Sequence, residues 1–493
     1  MKINLASKFE KSTETLVVPI AAKNGHDAIA KIAAQTNTTA EQIHSDFKAD
    51  HGETMVLYTK KQNRIILLGL GQSPQFNDVL KAFRAFSNKS NKRITSSFGV
   101  SFQMDNCADE KIATWVDACA NGLILGTYHT GKYKTQHIQK HTLASDEIQV
   151  TIFAPPLDTI IPAIQRGTHI AKTQAEILDL VNAPANKKSP SDLAKWAVQS
   201  GKQYNFKVEV IDKEKAAEIG LHALLAVNRG SEAPAAFIIM EYIPDGIENA
   251  PKVGLVGKGV TFDTGGVSIK PSSNMHFMKS DMGGAAAVLG TMEAVAKLKL
   301  PVHLVGIVPS TDNSVDALAI KPSDVINSYS GKTIEIIDTD AEGRLILADG
   351  LAYMIKHFQP EILIDLATLT GSAVRTFGYH AAALFSKDDD LSAAIQKAGA
   401  KSGERVWPLP LWDVYREDLK SDVADIRNYS GRPLAGAIGA AKFLEFFTND
   451  HPKWAHLDIA GVAFNDAEFT TMKSASAYGI RLLTTYLYSL NDN

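Results

Sequence analysis

Val253-Gly254-Leu255-Val256-Gly257-Lys258-Gly259-Val260-Thr261-Phe262-Asp263-Thr264-Gly265-Gly266 begins as an apolar run and ends in glycine and charge. Its first five residues are too few for a helix and apolar on both faces, which predicts a strand covered from both sides. The runs 302–308 and 362–366 read the same way, and the stretches 285–300 and 345–357 read as helices. Continuous apolar strands alternating with helices predict a largely parallel sheet in an α/β/α sandwich. In open sheets of this kind, ligands collect at the carboxyl ends of the strands.

Upstream the pattern changes. Residues 1–165 hold shorter runs, among them 54–58, 64–68 and 148–153, interleaved with amphipathic stretches, and read as a small α/β domain. Gly69-x-Gly71 after a strand lacks the third glycine and the acidic ribose partner of a dinucleotide fingerprint, so it reads as a turn. Asn182-Ala183-Pro184-Ala185-Asn186 and Ser189-Pro190-Ser191-Asp192 combine a break with a capped helix start. The expected division is therefore 1–165 as the N-terminal domain, 166–190 as a linker and 191–493 as the larger C-terminal domain.

With 493 residues, 45% of them hydrophobic and 21% charged, the chain is too long for a single core. No run approaches the ~20 apolar residues of a membrane span, and Met1-Lys2-Ile3-Asn4-Leu5 has no signal-peptide core, so a cytoplasmic protein is expected. Two cysteines, Cys107 and Cys119, fit neither a disulfide framework nor a thiolate metal site. The net charge of −3 gives no polycation field for nucleic acid. Residues 1–165 carry 18 Lys and Arg against 15 Asp and Glu, which leaves 33 against 39 for the remainder. The acidic excess thus falls where the strand ends are.

Those ends carry groups that an inert loop does not need. Lys258, Asp263, Lys270, Lys279 and Asp281 follow the first strand, and Ile334-Glu335-Ile336-Ile337 leads into Asp338-Thr339-Asp340-Ala341-Glu342-Gly343-Arg344. Each residue alone has an ordinary explanation: Asp281 as a helix N-cap, Asp340 and Glu342 as acids at a helix start, the lysines as solvated surface groups. Four acids with several bases, wrapped in glycines and with neither His nor Cys in the 338–344 corner, describe instead an oxygen-ligand site for hard divalent cations. Two such ions sharing carboxylates bring a bound water near neutrality and clamp the oxygens of a hydrolytic transition state, while lysine and arginine stabilise the oxyanion. Gly-x-Ser-x-Gly, His-Glu-x-x-His and P-loop patterns are missing from the sequence.

Asp338-Thr339-Asp340-Ala341-Glu342-Gly343-Arg344-Leu345 resembles the signature of the leucyl (cytosol) aminopeptidase family, with Asp338 where the signature usually has Asn. Gly257 to Gly266, Met278 to Met282, Ala367 to Gly371 and Trp454 to Gly461 support the likeness, which runs from about residue 180 to the end. The resemblance implies that Lys258, Asp263, Asp281 and Glu342 bind a tighter metal and Asp263, Asp340 and Glu342 a more exchangeable one. Lys258 can serve there only as a neutral amine, which a neighbouring dication permits. Lys270 and Arg344 fall on the family's two catalytic positions, Lys270 polarising the scissile carbonyl and Arg344 holding a bicarbonate or water that relays a proton. Met278, Thr368, Leu369 and Ala460 match positions lining the pocket for the first side chain. The resemblance further implies two divalent ions per subunit (Mn, Zn or Mg), peptide substrates with Leu-like first residues, and a homohexamer. Ser421 to Asp425 and Ala435 to Leu444 resemble later family segments but read as a polar turn and a packed helix, and His456 reads as a core histidine. A two-metal phosphoesterase and a peptidase-fold DNA-binding regulator are the competing readings.

Overall fold

The computed structural model describes all residues except 7–13, 24, 91–93, 95, 104–108, 137–140, 469 and 491–493, and Cys107 lies outside the described residues. It divides into two units, Met1–Ala175 and Glu176–Asn493. In the first, six strands lie in the order Lys2–Ala6, Gln149–Phe153, Phe98–Ser101, Thr15–Ile20, Arg64–Gly69, Thr54–Tyr58, with only the last pair antiparallel. Val17, Leu68, Val100 and Ile152 bury one face under helices Phe76–Lys89 and Asp109–Leu125, where Phe83 and Val116 have no exposed surface. Gly69 ends its strand and Gly71 follows it at a positive φ of 86°, its amide donating to the Ala49 carbonyl at 2.9 Å.

The expected linker is mostly helix. Ile160–Asn182 is one continuous helix of 23 residues. The break is confined to the few residues that follow, with a short 3-10 turn at Ala185–Lys187. Helix Pro190–Tyr204 then begins as its sequence foretells, the Ser189 amide donating to Asp192 Oδ2 at 3.0 Å in a reciprocal cap with Pro190 in the first turn.

In the second unit the three apolar runs form strands Lys252–Gly257, His303–Asn313 and Ile362–Ala367. They lie side by side and parallel, Lys252–Gly257 in the middle, and Trp454–Asp458 extends the parallel set beyond Ile362–Ala367. Antiparallel neighbours flank this core, Ala382–Ser386 on one side and Ala236–Tyr242 on the other, giving a mixed sheet of nine strands. Val253, Leu255 and Val256 are wholly buried, as strands covered on both faces must be.

Helices Gly283–Leu298 and Gly343–Phe358 pack against this sheet. The first presses hard on the strand ends. A Cβ added at Gly284 would lie 2.0 Å from the Leu366 carbonyl oxygen, so only glycine admits the contact. One expectation is corrected here. The corner that carries Asp340 and Glu342 follows Thr333–Glu335, which belongs to a separate three-stranded sheet with Val325–Asn327 and Ile426–Arg427 instead of the main sheet.

Candidate active site

Asp263 is the last residue of strand Gly259–Asp263, which runs parallel to the far end of His303–Asn313. Asn313, at that same end, donates from Nδ2 to Asp263 Oδ1 at 2.8 Å and to the Thr339 carbonyl at 3.1 Å. One buried amide thereby ties the strand end to the 338–344 corner. Thr339 adds a second tie, its hydroxyl donating to the Gly265 carbonyl at 2.7 Å. The result is that one oxygen from each of Asp263, Asp340 and Glu342 lies within 4.8 Å of the others.

Asp281 joins from another direction. It follows the 3-10 turn Met275–Ser280, and the helix after it is capped by Met282 without a side-chain bond, so capping does not account for this acid. Its Oδ1 accepts from the Thr368 hydroxyl at 2.8 Å. Glu342 precedes helix Gly343–Phe358 and likewise makes no side-chain cap bond.

The two lysines sit among these acids. Lys258 Nζ is 2.6 Å from Asp281 Oδ2, 2.8 Å from Glu342 Oε1, and donates to the Thr368 carbonyl at 3.1 Å. Its stem passes where a side chain at 343 would be, since a Cβ at Gly343 would meet Lys258 Cε at 2.3 Å. Lys270 Nζ lies 2.8 Å from Asp263 Oδ2 and contacts Asp340 Oδ1.

Burial pushes the carboxyls of Asp281, Asp340 and Glu342 up, Asp340 to about 7, and the neighbouring acids add to the effect. Burial alone would lower both lysines, but the surrounding carboxylates outweigh it and hold each ammonium above its ordinary range. A dication among the same carboxylates reverses the field at Lys258, as an amine ligand requires. The remaining Glu342 oxygen, Oε2, is buried with neither a hydrogen bond nor an ion pair among the described residues. An all-oxygen acid cluster with such an orphaned lone pair fits a hard divalent cation.

Arg344 is almost wholly buried, and its Nη1 donates to the Asn428 carbonyl at 2.7 Å while burial lowers its pKa. Asn428 also fixes the corner, accepting from the Ile337 amide at 2.8 Å and donating to the Asp338 carbonyl at 2.6 Å. Asp338 Oδ1 accepts from the Asp340 amide at 2.9 Å. An asparagine oxygen could accept the same bond, so this contact survives the departure from the family signature.

Lys258, Asp263, Lys270, Asp281, Asp340 and Arg344 open onto one cleft of about 580 Å³, and Met278, Thr368, Leu369 and Ala460 line it as well. Glu342 lies beneath. Sequence reasoning passed over Asn313, Asn428 and Asp458. Asp458, 1% exposed, accepts at Oδ1 from the amides of Leu369 (3.2 Å), Thr370 (3.4 Å) and Ala460 (3.1 Å), and at Oδ2 from the Thr370 hydroxyl (2.6 Å). One carboxylate therefore joins the two segments that supply Leu369 and Ala460 to the cleft. The detectable signal was an acid ending an apolar strand, in a stretch read only as family likeness. His456 is a core residue, its Nδ1 2.6 Å from Asp365 Oδ1 with both side chains fully buried.

Asp458→Asn keeps the shape but turns one acceptor into a donor facing the Thr370 hydroxyl or an amide. The expected loss in kcat/KM is roughly tenfold to a hundredfold, the cost of unpairing one or two buried charged hydrogen bonds. Discrimination between leucyl and alanyl amides should fall in parallel while far-ultraviolet circular dichroism stays unchanged. Unaltered discrimination would show that the turn holds without this carboxylate.

Family models match both parts of the chain: the catalytic domain of the cytosol aminopeptidase family over residues 177–484 and its N-terminal domain over 15–137. A protein of Chloroherpeton thalassium described as a probable cytosol aminopeptidase is 40% identical over 504 residues, 98% of each chain. One of Chlorobium limicola with the same description is 42% identical, covering 96% of each. Among solved structures, a tomato leucine aminopeptidase variant superposes with a TM-score of 0.88 at 30% identity, over 99% of this chain and 96% of that one. The bottromycin maturation enzyme BotP in complex with Mn gives 0.85 at 31% identity, over 97% and 100%. With both of its domain models matched and relatives aligned nearly end to end, the chain belongs to the cytosol aminopeptidase family and is an aminopeptidase.

Proposed function

We propose that the chain is a two-metal aminopeptidase that removes Leu-like residues from the N-terminus of peptides. The observation that carries this reading is the convergence of Asp263, Asp340 and Glu342 within 4.8 Å, with Lys270 and Arg344 facing the same cleft. Lys258, Asp263, Asp281 and Glu342 would hold one divalent ion and Asp263, Asp340 and Glu342 the other. Bound there, such ions supply a water ionised near neutrality and Lewis-acid stabilisation of oxyanions.

The chain's own groups do the rest. Lys270, one-fifth exposed at the cleft surface, presents its ammonium to the scissile carbonyl and then to the oxyanion that forms. Arg344, anchored through Nη1, keeps Nε without a hydrogen-bond partner, so part of its guanidinium is left to orient a bicarbonate or a water for proton transfer. Met278, Thr368, Leu369 and Ala460 form the wall for the first side chain.

Mn, Zn and Mg remain the candidate metals, the Mn-bound relative favouring the first. A phosphoesterase is disfavoured because both domain models matched by the chain are those of an aminopeptidase family. Peptides are the expected partners. A cytoplasmic location accords with the description of the relatives and with the lack, among the described residues, of any helix long and apolar enough to cross a membrane. A homohexamer accords with Trp407, Trp412, Val414 and Leu434 standing exposed, as surfaces that a second copy covers often do.

The test is a blocked amine. With the cleft-floor acids committed to the two ions and to Lys270, none would be left to pair an ammonium, so the substrate amine would enter as a neutral lone-pair donor. Acetylation removes that lone pair while leaving the scissile bond alone. N-acetyl-leucyl amide should be cleaved at least about a hundredfold more slowly than leucyl amide, as expected for losing a contact that positions the reacting bond. Comparable rates would overturn the aminopeptidase reading.

A further inference from the structure

The cleft is electrically lopsided. Its floor carries Asp263, Asp281 and Asp340 with Lys258 and Lys270 set against them, whereas its wall carries Arg375 and Arg432. Arg432 shares its charge with Asp418, at 3.3 Å. Arg375 is exposed and has no ion pair or hydrogen bond among the described residues. An arginine facing a substrate cleft with no counter-ion is available for an anion, and its planar fork suits a carboxylate.

Position says which carboxylate. Arg375 belongs to helix Gly371–Phe377, and its guanidinium folds back along the helix, Nη1 lying 3.5 Å from where a Cβ on Gly371 would stand. Gly371 and Ser372 line the same cleft. Thr368, whose hydroxyl bonds Asp281, is three residues before Gly371, so at most roughly 10 Å of chain joins the residue bonded to the acid cluster to the residue beside this guanidinium. An extended dipeptide or tripeptide spans about 7 to 10 Å. A short peptide with its amine at the acid floor would bring its terminal carboxylate to the arginine wall.

We propose that Arg375 is a specificity-determining residue that recognises the free C-terminal carboxylate of short peptide substrates, so that the cleft is built for dipeptides and tripeptides in their zwitterionic form. This rests on the aminopeptidase reading and deepens it. The shared chemistry, a carboxylate, could also come from an acidic first side chain, and the experiment has an arm for each.

The measurement is kcat/KM for Leu-Gly against Leu-Gly amide and for Leu-Gly-Gly against its amide, with glutamyl amide against glutaminyl amide as the second arm. In the unaltered enzyme the free acids should be favoured roughly five- to twentyfold, the range for a part-exposed charge-assisted pair, and the preference should shrink as salt is raised. In Arg375→Ala the ratio should approach one, in Arg375→Glu it should fall below one, and Arg375→Lys should keep part of it. The readout is a ratio within each enzyme, so a general loss of activity does not imitate the effect. Equal rates for acid and amide in the unaltered enzyme, a preference untouched by Arg375→Ala, or a preference confined to the glutamyl arm would each overturn the assignment. Hydrolysis of neither amide nor acid would overturn the aminopeptidase reading itself, a different result from cleavage without preference.

Discussion

Glu342→Gln and Asp263→Asn are each expected to lose at least about three powers of ten in turnover, more than Asp340→Asn, because the first two would serve both metal ions and the third only one. The geometry gives a physical reason for the ranking. Asp263 and Glu342 are 2% and 1% exposed, so an amide in either place leaves a buried site short of both charge and a ligand oxygen, whereas Asp340 is only part-buried. Metal content by elemental analysis should fall with activity in the first two variants. Equal, small losses at all three positions would remove the two-metal assignment. The same acids set the pH response: with Asp340 held at about 7 by burial and by its acidic neighbours, protons compete for the site below neutrality. Metal affinity should therefore weaken as pH falls through 7, the protonated carboxyl being no ligand. Chelation should abolish activity without unfolding the second unit, whose sheet has its own apolar core.

Lys270→Ala and Arg344→Ala should retain the metal complement of the unaltered enzyme and still lose roughly two to four powers of ten in turnover, the span associated with oxyanion stabilisation and proton transfer. Neither group is proposed as a ligand. Lys270 stands against Asp263 and Asp340 as a counter-charge, so its removal makes that corner more negative and favours a cation. Arg344 differs, because its guanidinium also holds the Asn428 carbonyl. Arg344→Lys separates the two duties: it keeps a charge but not the fork, and recovery of stability without recovery of rate would isolate the contribution to proton transfer. A variant of either residue that sheds a metal would show its role to be misassigned.

Much of the centre was legible because it is local. The apolar runs around 253–257, 302–308 and 362–366 are strands by composition alone, and each acid of the cluster stands in or beside a recognisable motif. What escaped was whatever depends on pairing across the chain. Nothing near residue 338 tells that Thr333–Glu335 lies outside the main sheet, because one of its two strand partners, Ile426–Arg427, lies far downstream of the other, Val325–Asn327. Asn428 was invisible for the same reason, being a polar residue in a loop until the fold sets it under the 338–344 corner. The division between the two units falls inside the expected linker 166–190, and what the sequence did not show is that most of that linker is helix. Pro184 and the asparagines around it signal a real break, but Ile170, Ile177, Leu178 and Val181 keep helical spacing right up to it and continue helix Ile160–Asn182.

Strand Trp454–Asp458 lies between Ile362–Ala367 and Ala382–Ser386, both of which are synthesised before it. Until it arrives, the buried Asp365 lacks Trp454 and His456, and Asp458 is not there to join the Leu369 and Ala460 segments. A nascent chain halted at residue 440 would already contain every acid, lysine and arginine assigned to the chemistry, yet no finished wall for the substrate. Completion of the substrate wall thus waits on the insertion of an inner strand that follows both of its neighbours in the chain.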